Sequence, residues 1–248
     1  MSLLPRDPRS NAARIRELVG PLARACSGRP VFLVDGDRTL SPDDTSRTFL
    51  RRAGLDPLVI KRRFEQDGYC FDAFRFHAEM HVELGEAVFA EVAPAVAEAA
   101  PLYPGAIDFL YRAVDVASVF VVSAGIPRIW RSILDGQGLA AVGVIGGIEP
   151  RNPYVFGREE KAVVTRLFLD GASTVVGVGD SDVDTELLRL SQHAVVVVNH
   201  RRNADLLPHL GDHSSLWQVA PNGDPHAGIP QLDFPAVASL VSPSAACP

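Results

Sequence analysis

The chain has 248 residues, 47% hydrophobic and 22% charged, a balance that fits a soluble globular protein and excludes a disordered or membrane-embedded one. Its 24 basic and 30 acidic side chains leave a formal charge of −6, which excludes a broad nucleic-acid surface but leaves room for a local basic pocket. Apolar runs such as AVVVV at 194–198 fall far short of the roughly 20 residues that a membrane-spanning helix needs. Read in chain order, residues 10–25 space Ile15, Leu18, Val19 and Leu22 at helical intervals, and the strand-like VFLV at 31–34 runs into Asp35 and Asp37. From Ser41 to about Ala100 the pattern is helical throughout. DDTSRTFLRRAG opens on helix-capping side chains and closes on Gly54, and three further helical segments follow. Beyond residue 101 helices and strands alternate. PGAIDFLYRAV is a helix, ASVFVVSAG a buried strand with a small-residue turn, and IPRIWRSILDGQG a helix. Short β pieces and a loop precede the helical REEKAVVTRLFLDG. STVVGVGD is a strand, SDVDTELLRL a helix, AVVVVN a strand, and LWQVA is strand-like after one more short helix. The stretch after Pro221 is rich in Pro, Ala and Ser, with weak periodicity.

Alternation of this kind predicts βαβ units: an α/β fold with a Rossmann-like parallel sheet, helices on both faces, and an inserted α-helical cap. The expected division is a core from 1–40 and 101–225, a cap at 41–100, and a C-terminal tail at 226–248. Ligands of open α/β sheets bind beyond the carboxyl ends of the strands. Asp35 and Asp37, Ser123, and Asp180 with Asp184 all follow strands, so the topology gathers them at one rim. The three cysteines, Cys26, Cys70 and Cys247, are odd in number and widely spaced, which suits free thiols rather than a disulfide framework or a zinc site. MSLLPRDPRS lacks the basic flank and apolar stretch of a secretory leader, so a cytoplasmic location is expected. Among the basic residues only Lys61 and Lys161 are lysines, which draws attention to both.

The ordered clusters resemble the four motifs of the haloacid dehalogenase superfamily, in its phosphatase branch. VFLVDGDRTL matches an apolar strand followed by D-x-D-x-T, and VFVVSAG is a strand ending in Ser123. Lys161 opens a helix, and VVGVGDSDVD reads as strand then G-D-x-x-x-D. The resemblance covers about 31–200 and implies a Mg²⁺-dependent phosphatase of small phosphomonoesters. It makes Asp35 the nucleophile that forms an aspartyl-phosphate and Asp37 the general acid and base. It also implies that Asp35, the backbone carbonyl of Asp37, and Asp180 hold Mg²⁺, an oxygen-preferring cation, with Asp184 supporting the site. Ser123 and the amides near Gly36, Ala124 and Gly125 would bind phosphoryl oxygens, Thr39 would fix the turn, and Lys161 would pair with nucleophile and phosphate. Phosphotransfer to another alcohol, or a silent binding protein that keeps the fold, are the alternatives. No nucleic-acid or membrane partner is expected, and the assembly state is not legible.

A helical insertion straight after the first motif resembles the cap of the phosphoserine phosphatase branch. Asp44 stands near the place where that branch carries a Glu for the substrate ammonium, although DD before Thr45 is equally a helix cap. Two departures put serine phosphate in doubt. Val183-Asp184 replaces an Asn-Asp pair, and Arg75 is only a loose counterpart of the arginine that holds the substrate carboxylate. Phe71, Phe74, Ala78 and Val82 share a helical face that suits bundle packing, with some rings free to line a pocket for a sugar, nucleoside, amino alcohol or other small alcohol. His77 and His81 are spaced i and i+4, but HAEMH lacks the metal-site pattern H-E-x-x-H and a third ligand, so they read as ordinary cap residues.

Overall fold

A computed structural model describes residues 4–151 and 153–241. Helix α1 (Pro8–Ala25) starts where Asp7 accepts the Arg9 and Ser10 N–H groups at 3.0 Å, with Pro8 in the first turn, and buries Ile15, Val19 and Ala23. Strand β1 (Pro30–Val34) follows, then α2 (Thr45–Arg52), α3 (Leu58–Asp67), α4 (Phe71–Val82) and α5 (Gly85–Ala99) without an intervening strand. The core resumes with α6 (Ala106–Val116), β2 (Ser118–Val122), α7 (Pro127–Gly136), β3 (Gly143–Ile145), α8 (Arg158–Leu169) and β4 (Thr174–Gly179). It ends with α9 (Thr185–Leu190), β5 (His193–Val197), α10 (His200–Leu206), β6 (Leu216–Val219), β7 (Gln231–Leu232) and α11 (Phe234–Val237). No described helix is long and apolar enough to cross a bilayer.

The strands form one parallel sheet in the order β3-β2-β1-β4-β5-β6-β7. Because successive strand residues face opposite ways, β1 supplies two separate cores. Val31 and Leu33 pack with α1, α8 and α9 residues such as Ile15, Phe168 and Leu187, while Phe32 and Val34 pack with Phe109 of α6 and Ile129 of α7. Continuous apolar strands are what a sheet covered on both faces requires, and the α/β architecture is the expected one.

The helices α2–α5 sit between β1 and α6. Phe49 of α2 and Phe89 of α5, ring centroids 4.8 Å apart, join the same hydrophobic cluster as α6 and α7. Arg128 of α7 holds Glu86 of α5 through two bonds of 2.8 and 3.1 Å and also pairs with Glu149, tying α5 to the core. The α3–α4 hairpin carries fewer fully buried side chains: Ile60 from α3 and Ala73, Phe74, Ala78 and His81 from α4.

One expectation needs correction. Residues 226–248 do not all stand apart from the core: β7 extends the sheet beside β6, and Phe234 and Val237 are buried against the α6 layer. A two-residue strand and a Pro-containing helix of one turn are too short to leave a periodic signature. Residues 242–248, including Cys247, lie outside the described residues; Cys26 and Cys70 are free thiols.

Candidate active site

Register brings the sequence-predicted residues to one rim. Val34 of β1 lies opposite Val121 of β2 and Val178 of β4, so the chains leave the sheet side by side at Asp35, Ser123 and Asp180. This is the carboxyl end of the sheet at the point where strand order reverses. A cavity of about 770 Å³ opens there between the strand ends and the α2–α4 helices. Asp35, Asp37, Asp44, Ser123, Ala124, Gly125, Lys161 and Asp180 line it.

Lys161, on the first turns of α8, is 1% exposed and donates to Asp35 Oδ1 and Asp184 Oδ1, both at 2.6 Å. Burial disfavours its charge, but the two carboxylates win and raise its pKa further above the usual lysine value. Thr39 donates to the other oxygen of Asp35 at 3.0 Å, which fixes the carboxylate plane. Burial, reinforced by Asp184, pushes Asp35 up to about 6 against the pull of Lys161 and Thr39. Asp37 is half-buried on the cavity floor, where its Oδ1 accepts the Thr45 N–H at 3.1 Å. Burial and then the Asp44 charge raise it to about 7, so the protonated and ionised forms are both populated near neutrality.

Ser123 Oγ accepts the Gly125 N–H at 3.0 Å. A Cβ at Gly125 would lie 2.5 Å from Ser46 Oγ and 2.9 Å from Asp37 Oδ2, so only glycine lets this turn pass so close to the acid. Gly36 has a different constraint: its α-carbon sits against the Trp130 indole, which a Cβ would overlap at 2.3 Å.

Asp35, Asp180 and Asp184 each place a carboxylate oxygen within 4.8 Å of the other two. Their oxygens are used differently. Asp184 is fully engaged: Oδ1 takes Lys161, and Oδ2 takes the backbone N–H groups of Asp180 and Ser181 and the Ser181 hydroxyl, each at 3.2 Å. Asp180 is buried with neither oxygen in a hydrogen bond, and the Arg202 Nε 2.6 Å from its Oδ2 is the one cation paired with it among the described residues. Burial raises Asp180 to about 7, with Arg202 opposing and Asp184 and Asp35 adding to the rise. Hard oxygen donors, surplus negative charge and the unpartnered buried Oδ1 of Asp180 form a donor set that fits a divalent cation such as Mg²⁺. Asn203 of α10 steadies it by donating to the Asp180 backbone carbonyl at 2.7 Å.

The two residues read as substrate contacts fare differently. Asp44 lines the cavity, yet its Oδ1 caps α2 through the Arg47 N–H at 2.9 Å and its Oδ2 pairs with Arg38 at 2.6 Å. Arg75 does not line the cavity; it lies on α4, 3.4 Å from Glu79. Arg38 and Arg202 were not legible as site residues. Arg38 is the one described non-glycine residue with positive φ, at 66°, a strained turn that points to a local demand. Its place between Asp37 and Thr39 was the available signal. For Arg202 the signal was the HRR run just past a strand.

The family model described as haloacid dehalogenase-like hydrolase matches residues 32–189. No curated protein sequence matches the chain. Among solved structures, a phospho-aspartyl intermediate analogue of phosphoserine phosphatase superposes with a TM-score of 0.53 at 15% identity, covering 76% of this chain and 93% of its own. A substrate-bound phosphoserine phosphatase complex gives 0.53 at 14% identity, covering 76% and 92%. A HAD-family hydrolase from Salmonella enterica serovar Typhi gives 0.58 at 13% identity, covering 96% and 82%. At such identities the likeness is one of fold.

Proposed function

The chain belongs to the haloacid dehalogenase-like hydrolase family, and from that premise we propose that it is a divalent-cation-dependent phosphatase of small phosphomonoesters, with Mg²⁺ the expected ion. The observation that carries this reading is the convergence of Asp35, Asp37, Ser123, Lys161 and Asp180 on one cavity, with Asp184 bonded to Lys161 behind them.

Asp35 attacks phosphorus with a carboxylate oxygen, forming an acyl-phosphate bond as the bond from phosphorus to the leaving oxygen breaks. Asp37 gives its proton to that oxygen, and the alcohol departs neutral. Asp37 then takes a proton from water, whose oxygen attacks the same phosphorus, releasing inorganic phosphate and the Asp35 carboxylate. A nucleophile must be ionised and an acid protonated, and their surroundings differ in that sense: Lys161 bonds Asp35 directly, whereas among the described residues no cation bonds Asp37. Ser123 and the turn through Ala124 and Gly125 hold the phosphoryl oxygens. Asp35, Asp180 and the Asp37 carbonyl would hold the divalent ion, with Asp184 orienting Lys161 and the loop. When bound, that ion neutralises the phosphate dianion and the clustered carboxylates. Residues 41–100 serve as the cap that limits water at the site.

Purified protein supplied with Mg²⁺ is expected to release phosphate from 4-nitrophenyl phosphate. EDTA and Asp35→Asn should each abolish release. Undiminished turnover by Asp35→Asn would rule out the mechanism.

A further inference from the structure

The cap wall of the cavity is aromatic. Phe64 of α3 stands 4.9 Å from Phe74, 5.1 Å from Tyr69 and 5.9 Å from His77, measured between ring centroids, and all four rings line the cavity. Leu50, Pro57 and Ile60 continue the surface beside them. Resting on the phosphatase reading, we propose that this wall is a subsite for the alcohol half of the substrate, and that it takes a flat, uncharged ring attached close to the leaving oxygen: an aryl or heteroaryl alcohol.

Three observations carry this. First, Tyr69 is 41% exposed, so one ring of the cluster retains surface on which a further ring can pack. Offset or edge-on ring pairs of this kind favour binding beyond the area they bury. Second, a cavity of about 770 Å³ is within the range that holds whole small organic ligands, well beyond a phosphate on a three-carbon amino acid. Third, the carboxylates beside the wall that could pair with an ammonium group already have partners. Asp44, the cavity carboxylate at the start of α2, already caps that helix with one oxygen and pairs with Arg38 through the other. Lys61 and Glu65 pair with each other at 3.3 Å, and Arg47 lines the same space with no ion-pair partner among the described residues. His77 is held neutral, its pKa pushed down to about 3 by burial and then by His81, so it adds a hydrogen-bonding edge without charge.

The test uses phosphonates, which bind without being hydrolysed. Titration calorimetry of the protein with Mg²⁺ would compare benzylphosphonate, propylphosphonate and 2-aminoethylphosphonate, the last carrying an ammonium where propylphosphonate has a methyl group. Benzylphosphonate is expected to bind about tenfold more tightly than propylphosphonate, and 2-aminoethylphosphonate more weakly than either. Phe64→Ala should bring the benzyl-to-propyl ratio near one, and Tyr69→Ala should lower it about threefold. Because Tyr69 is partly exposed, its variant keeps the fold, which a melting curve checks. Equal affinities for the benzyl and propyl compounds, a preference for the ammonium, no binding of any of them, or an unchanged ratio in both variants would overturn the proposal. Ring preference without any phosphate release from 4-nitrophenyl phosphate would sink the phosphatase reading and leave the subsite standing; turnover without ring preference would do the reverse.

Discussion

On the floor of the cavity the polar atoms are tightly held, whereas the α3–α4 wall carries rings that pack on one another and keep surface free. Both oxygens of Asp35 and both of Asp184 have named partners, and Lys161 bridges the two carboxylates. On the proposed phosphatase reading, the contrast follows from what each region would handle. Charge transfer at phosphorus needs donors and acceptors fixed in advance, while a leaving group needs shape and surface. Asp180 is the exception on the floor: among the described residues its Oδ1 has no partner and its Oδ2 has only Arg202, which suits the ligand role proposed for it.

The largest effect should come from the bridge. Lys161→Met leaves Asp35 and Asp184 buried without their cation. The expected loss is about 3 kcal/mol of stability, or roughly 10 °C in Tm, with phosphate release falling at least about a hundredfold. Differential scanning calorimetry and a release assay would check both, and an unchanged Tm would mean that the floor is not held as described. Asp37→Asn comes next and sharpens the assignment of the acid. Hydrolysis of an alkyl phosphate should slow by about 10² to 10⁴. With 4-nitrophenyl phosphate the first burst of nitrophenolate should be affected far less than steady turnover, because nitrophenolate leaves without a proton whereas hydrolysis of the acyl-phosphate still needs the base. A burst slowed as much as the alkyl phosphate would contradict the acid role.

The floor should also show itself in the pH dependence of metal-free protein. Asp35, Asp37 and Asp180 have folded-state values of about 6, 7 and 7, above the ordinary 3.8. The folded chain therefore holds protons that the unfolded chain has lost, so stability is greatest below about pH 4 for these groups and declines as pH rises through 6 and 7. Asp44, whose pKa is lowered, works the other way and loses its contribution only on further acidification. In EDTA, Tm is expected to fall between pH 5 and pH 8, and added Mg²⁺ should raise it more at pH 8 than at pH 5. A Tm that rises steadily over this window would contradict the buried-carboxylate account.

These regions also differ in how much of them the sequence discloses. The floor is legible because apolar strands that end in acids announce both a sheet and its carboxyl rim: Asp35, Ser123 and Asp180 need only parallel register to meet. Cap helices were legible from periodicity and from Asp44 as a cap. What stayed hidden depends on tertiary approach. Nothing in HRR says that Arg202 will reach back to Asp180. Nothing in EQDGYC at 65–70 shows that Tyr69 will stand beside Phe64, and β7 is too short to carry a pattern. The smallest predicted effect comes from this hidden part. Arg75→Ala, which removes an ion pair with Glu79 outside the cavity, should change kcat/KM by less than about twofold and stability by less than about 0.5 kcal/mol.

The most direct measurement is to trap the phosphorylated enzyme. During turnover of a phosphomonoester with Mg²⁺, quenching and borohydride reduction convert an aspartyl-phosphate to homoserine, which mass spectrometry locates in the chain. The account predicts that change at Asp35, within VFLVDGDRTL, and none at Asp37 or Asp180. Steady phosphate release with no modified residue, or with the change at another aspartate, would contradict it.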